Sequence, residues 1–207
     1  MNYPLYGYKE SSGHDVDTQR TLSKGTLVEF SEKNREHVGK IVHVEQKTNG
    51  SARYDIENSQ GKIYSVAEKA ITYAMTITPN DEKRIQQLFT EFGSAHEKSQ
   101  LELLNDLDMS AELFEMAWEE TLIQEEESHE LTAKSLMELI HSRSASTIES
   151  YKAWKLLRTD LGHVFFKDIK DHGRVVSFKA RAAKAVQAAK QTFCMNPDHF
   201  NDDLCFV

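Results

Sequence analysis

The chain reads as an α+β protein: a small five-stranded SH3-like or OB-like β-barrel, followed by a helical region that contains a winged-helix module. Three observations lead there. Between residues 23 and 77, apolar residues alternate in short runs divided by tight turns. From residue 81 the apolar spacing changes to three and four, the spacing of helices. From Leu131 to Phe178, two short helical patterns precede an aromatic hairpin, the element order of a winged helix.

Residues 1–22 lack periodicity, contain Gly7 and Gly13, and are expected to form a flexible N-terminal segment. The β module, 23–78, is expected to hold strands at Thr26–Phe30, Val38–Glu45, Ser51–Ile56, Lys62–Val66 and Ala70–Met75. Asn49-Gly50 predicts a type I′ hairpin turn, because both residues tolerate positive φ. Asn58 to Gly61 marks the next turn, and Thr78-Pro79-Asn80-Asp81 ends the module, with Asn80 or Asp81 as a helix cap.

Residues 79–130 predict an acidic helical region. Ile85, Leu88, Phe89 and Phe92 lie on one helical face, and Leu101, Leu103, Leu104 and Leu107 suggest a second helix. A third opens at Asp108-Met-Ser110, with Leu113, Phe114, Ala117, Trp118 and Leu122 inward. Glu125, Glu126 and Glu127 oppose the helix dipole at its end.

Residues 131–193 predict the winged helix with a basic C-terminal helix. Thr132 is expected to cap the first helix and Ser146 or Thr147 the second. On the second, Ile148, Tyr151, Trp154 and Leu156 or Leu157 face the core, while Lys152, Lys155 and Arg158 share an outward face. The hairpin runs Val164–Ile169, then Lys170-Asp-His-Gly173, then Arg174–Phe178. A last helical pattern runs from Phe178 to Phe193, lined by Lys179, Arg181, Lys184 and Lys190. Asn196-Pro197 ends it, within a tail, 194–207, that finishes acidic and then apolar.

Charge is partitioned along the chain. Residues 1–80 hold ten Lys/Arg against ten Asp/Glu, residues 81–150 five against seventeen, and residues 151–207 ten against six. A basic end beside a winged helix is the footprint of phosphate contact. The candidate nucleic-acid-binding residues are therefore Lys152, Lys155, Arg158, Lys167, Lys170, Arg174, Lys179 and Arg181, with Phe165, Phe166, Tyr54, Tyr64 and Tyr73 as candidate stacking platforms.

Other classes find little support. No apolar run approaches the length of a membrane span, so no membrane insertion is expected, and the polar N-terminus has no secretory h-region. No phosphate-binding glycine loop, GxSxG or HxxxH motif occurs, and no catalytic residue, metal ligand or cofactor is assigned. Cys194 and Cys205 match no zinc or redox spacing, and are expected to be thiols of a reducing compartment.

Lys24-Gly-Thr-Leu-Val-Glu-Phe30 resembles the opening strand of the cyanobacterial and plastid type of ribonuclease II, an RNB-domain exoribonuclease. Further segments resemble that family in the same order: Ile71-Thr-Tyr73, Leu113–Trp118, Leu131–Met137, Glu149–Leu157 and Val164–Lys167. In that family a catalytic domain follows this region and holds magnesium through clustered aspartates. Asp202-Asp203 does not reproduce that cluster, so the 3′-to-5′ chemistry carries onto no residue here. The resemblance implies an auxiliary RNA-binding, substrate-handling role, either as an N-terminal piece of the enzyme or as a free-standing protein, in a chloroplast or the cytoplasm. Two other readings compete. One is a subunit that docks a protein partner, such as a ribosome, through the acidic helices or the Leu204–Val207 tail. The other is a DNA regulator, disfavoured because the second helix offers few Asn or Gln to read base edges.

Overall fold

The computed structural model describes residues 22–48, 50–75, 81–123 and 130–196. Five strands come first: β1 (Leu27–Glu32), β2 (Arg35–Gln46), β3 (Ala52–Glu57), β4 (Ile63–Ala67) and β5 (Ile71–Ala74), with a 3₁₀ turn at Glu68–Ala70. They form one antiparallel sheet in the order β4-β3-β2-β1-β5. β4 and β5 are its two edges and do not pair, so among the described residues the sheet is not closed into a barrel.

The turns follow local chemistry. Lys33 and Asn34, at φ of 51° and 62°, make the two-residue link between β1 and β2, where Glu32 opposes Arg35. Positive φ at both positions is what a type I′ turn requires. At the β2–β3 turn Asn49 lies outside the described residues. Lys47 N–H donates to the Ser51 carbonyl (2.8 Å) and Gly50 N–H to the Lys47 carbonyl (3.0 Å), with Gly50 at φ of 81°. Three residues thus separate the bonded pair, and the connection is longer than the two-residue type I′ turn expected there. In the next turn Asn58 Oδ1 accepts from the amides of Gln60 and Lys62.

β1 is buried on both faces. Val28 and Phe30 join Ile41, Tyr54, Ile56 and Ile71 in a core enclosed by the sheet. Leu27, together with Met75, joins the larger helical core instead. Successive residues of a strand point to opposite sides, so a strand serving two cores carries apolar residues on both of its faces.

The helices are α1 (Glu82–Glu97), α2 (Gln100–Asp106) and α3 (Ala111–Ile123). Then come a short strand β6 (Glu130–Leu131), α4 (Ala133–His141), α5 (Thr147–Leu157), α6 (Asp160–Phe165), β7 (Phe166–Asp171), β8 (Arg174–Ala180) and α7 (Ala183–Cys194). Side-chain caps set the starts. Asp81 caps α1, Ser99 and Glu102 form a capping box on α2, and Ser110 accepts from the Leu113 amide at α3. Thr132 caps α4 and Ser146 caps α5, the latter in a box with Glu149. β6, β8 and β7 form the second sheet, in that order.

Two boundaries differ from expectation. Val164 and Phe165 end α6, a helix that the periodicity did not announce, and are not part of the hairpin. Thr159 caps that helix, and Gly162 lets it fold back on the end of α5: a Cβ there would lie 2.2 Å from the Leu157 carbonyl oxygen. Phe178 belongs to β8, and α7 starts only at Ala183. The acidic helices and the winged helix also share one core, from Phe89 and Phe92 through Phe114 and Trp118 to Phe178 and Phe193. The expectations for residues 1–21, Thr78–Asn80, Glu125–Glu127 and 197–207, Cys205 included, lie outside the described residues.

Candidate nucleic-acid interface

α5 holds the position of a recognition helix, and it is enclosed. Tyr151, Ala153, Trp154, Leu156 and Leu157 are all buried in it, with α1, α2, α4 and α6 packed around. Lys152, Lys155 and Arg158 do share a face, but that face is half-buried against neighbouring elements. Lys152 donates to Asp106 of α2, which Lys98 also contacts. Lys155 donates to the His96 carbonyl at the end of α1, where a cation complements the helix dipole, and burial lowers its pKa. Arg158 lies over the Trp154 ring at 4.4 Å, with Glu29 Oε1 at 3.7 Å and Asp168 Oδ2 at 3.9 Å. The outward orientation expected for these three is therefore corrected. Carboxylates and a helix end from four other elements converge on them, a tertiary arrangement that helical spacing does not encode.

Glu29 organises that junction and was not among the sequence candidates. It is fully buried on β1. Its Oε2 accepts from the Tyr151 hydroxyl at 2.6 Å and lies 3.2 Å from His96 Nδ1, and its Oε1 accepts from the Thr72 hydroxyl at 3.0 Å. Burial alone pushes its pKa up. The contacts of His96, Tyr151 and Thr72 outweigh this, and the net shift is downward. Burial, reinforced by the Glu29 charge, raises both Tyr73 and Tyr151. A sequence signal for the role exists: Glu29 interrupts the apolar run Leu27–Phe30 on a strand buried on both faces. A carboxylate in such a place needs a built set of partners.

The wing meets solvent with three of the basic end's cations. His172 and Gly173, at φ of 47° and 88°, form its two-residue turn, with Asp171 opposite Arg174. Lys167, Lys170 and Lys179 are exposed, and none belongs to an ion pair among the described residues. Lys167 and Lys179 stand directly across the β7–β8 ladder. Like charges at such a pair are unfavourable until an anion bridges them. Glu130 follows in the same row, opposite Lys179, and accepts from Ser177 Oγ at 2.8 Å.

Arg174 and Arg181 are engaged elsewhere. Arg174 pairs with Glu68 in the β module at 3.2 Å. Arg181 donates to the His163 carbonyl, and its own carbonyl accepts from the Trp118 indole at 2.8 Å. On α7, Lys190 contacts Glu115 while Lys184 is exposed. The candidate stacking aromatics are core residues. Phe165, Phe166, Tyr54 and Tyr64 are buried, and Tyr73 packs among Tyr151, Trp154 and Phe92. Among the described residues, no three His, Cys, Asp or Glu side chains are placed to hold a metal ion, and no helix is long and apolar enough to cross a membrane.

Comparison with known proteins adds one finding. No curated protein and no solved structure matches the chain. Residues 101–185, from α2 through the wing to the first turn of α7, match the family model of the ribonuclease II winged helix domain, so this part of the chain is related to that domain.

Proposed function

We propose that this chain is a non-catalytic RNA-binding module that handles substrate for a ribonuclease II-type 3′-to-5′ exoribonuclease. The match of residues 101–185 to that family's winged helix domain is the observation that carries the reading. The exposed Lys167, Lys170 and Lys179 supply a surface for it. These are phosphate-type contacts, which position a strand without reading its bases. The RNA surface is therefore the wing, with α5 acting as its buried support. Magnesium belongs to the family's catalytic domain, and no residue described here is assigned to it. The proposed setting is a chloroplast or the cytoplasm, in line with the resemblance of the sequence to the plastid and cyanobacterial type of ribonuclease II.

The test is binding of the chain to single-stranded RNA across a salt series with magnesium present, checking the RNA for shortening. Binding should weaken steeply with salt and leave the RNA intact. Replacing Lys167, Lys170 and Lys179 by Ala should reduce the slope of log K against log salt by about 2, at roughly 0.7 per phosphate contact on a single strand. An unchanged slope would remove the wing from the reading, and shortened RNA would reveal an active site in the chain.

One observation favours a second reading, docking to a protein partner. On α3, Met116 and Ile123 are 62% and 73% exposed between Glu112, Glu119 and Glu120. Partner binding that survives loss of the wing lysines and fails for Met116→Lys would support it.

A further inference from the structure

The wing rests against the β module. A Cβ on Gly173, at its tip, would lie 3.4 Å from the Lys69 carbonyl oxygen. Arg174 bonds Glu68 beside it at 3.2 Å, and β8 packs against β5. Next to this contact opens a groove of about 270 Å³, bounded by the β2–β3 hairpin, the 3₁₀ turn and the wing tip. Its lining includes Lys47, Ser51, Arg53, Glu68, Lys69 and His172.

The charge of this groove is one-sided. Glu68 is the one carboxylate among the lining residues, and Arg174 neutralises it. Lys47, Arg53 and Lys69 enter no ion pair among the described residues. Arg53 is held in place: its Nε donates to Ser65 Oγ at 2.9 Å and its Nη2 to the Ser65 carbonyl at 3.1 Å. That engages two of the five guanidinium N–H donors and leaves the others for a ligand. Three cations around a small preformed recess suit a phosphate. The recess is smaller than the roughly 300–1,000 Å³ of pockets that enclose whole drug-sized ligands. Apart from His172 its lining has no aromatic ring, so the contact suits a backbone and offers little to stack a base.

We propose that this groove is a phosphodiester subsite for single-stranded RNA, in which the β module and the wing grip the same strand. The inference rests on the RNA-binding reading and extends it: the β module contributes Lys47, Arg53 and Lys69 to the ligand and is more than a spacer. Because the wing is pinned to the 3₁₀ turn, the subsite is formed before RNA arrives, and binding does not have to order two separate bodies.

The experiment uses the full chain and a fluorescent oligouridylate, with anisotropy followed across a salt series. It compares the wild type, Lys47→Ala/Lys69→Ala, and Lys167→Ala/Lys179→Ala. Both substituted pairs are exposed lysines, and unchanged thermal unfolding confirms that the fold is intact. The groove variant should bind about tenfold more weakly near 0.1 M salt, with a slope lower by about 1.4. If it binds like the wild type while the wing variant weakens, the groove inference is overturned and the RNA-binding reading stands. A wild type that binds no RNA even at low salt overturns both.

Discussion

Glu29 is the residue on which the junction of sheet and helices depends. Its side chain has no access to solvent, and its partners come from β5 (Thr72), α1 (His96) and α5 (Tyr151, Arg158). Glu29→Ala leaves those groups without their acceptor and should cost about 3 kcal/mol in urea-unfolding free energy. The pH dependence follows from the direction of the shift. The folded-state pKa is depressed, so the charged form stabilises the fold at pH above the ordinary carboxylate range. That stabilisation is lost as pH falls through the depressed value. Glu149, drawn down to about 2 by Arg143 and the Ser146 amide, acts in the same sense between 4.5 and about 2. The Tm of the wild type should therefore fall between pH 5 and pH 2. In Glu29→Gln, which keeps an acceptor but does not titrate, the fall should be shallower. Equal falls in the two proteins would remove Glu29 as a source of acid sensitivity.

At the scale of elements, where the helices start is set locally and is legible. Ser99, Thr132, Ser146 and Asp81 each precede a helix and cap it, as short oxygen-bearing side chains do where amides lack partners. Ser146→Ala should cost about 1 kcal/mol, read from thermal or urea unfolding. The corner between α5 and α6 was not legible, because it depends on a close approach between chain segments. At Gly162 an added Cβ would meet Leu157 backbone atoms at 2.2 to 2.5 Å. Gly162→Ala should therefore destabilise the fold by about 2–3 kcal/mol, as overpacking does when the neighbour is backbone. The same corner explains why Val164 and Phe165 leave the hairpin: α6 uses them to reach the core before β7 begins at Phe166.

For the whole molecule, the β sheet and the helices share a strand and a buried carboxylate, and so are expected to unfold as one body. Trp118 and Trp154 both sit in the helical core, so tryptophan fluorescence reports that side, while hydrogen exchange at β1–β3 amides reports the sheet. The two should give one coincident transition in denaturant. Two separated midpoints would show that the sheet folds alone. The charge partition also takes its meaning at this scale. Part of the basic end is paired with carboxylates of the same chain, Lys152 with Asp106, Arg174 with Glu68 and Lys190 with Glu115. Of the rest, Lys167, Lys170 and Lys179 on the wing and Lys184 on α7 meet solvent, and the groove beside the wing draws its cations from the neutral head of the chain.

The amino-acid sequence by itself determined the class and order of the elements other than β6 and α6: strands from period-two runs, helices from spacings of three and four, and helix starts from capping residues. Each of these is set within a few residues of chain. It also determined that Tyr151, Trp154 and the leucines of α5 are inward, because one helical face is apolar. Only the tertiary structure decided what surrounds the rest of that helix. Residues distant in sequence, Glu29, His96 and Asp106, arrive against Lys152, Lys155 and Arg158 and turn an apparent ligand face into internal pairing. It likewise decided that Lys47, Arg53 and Lys69 meet His172 at one groove. The physical reason is common to both cases: charge is long-ranged and carries no periodicity, so its partner is known only once the chain has folded back on itself.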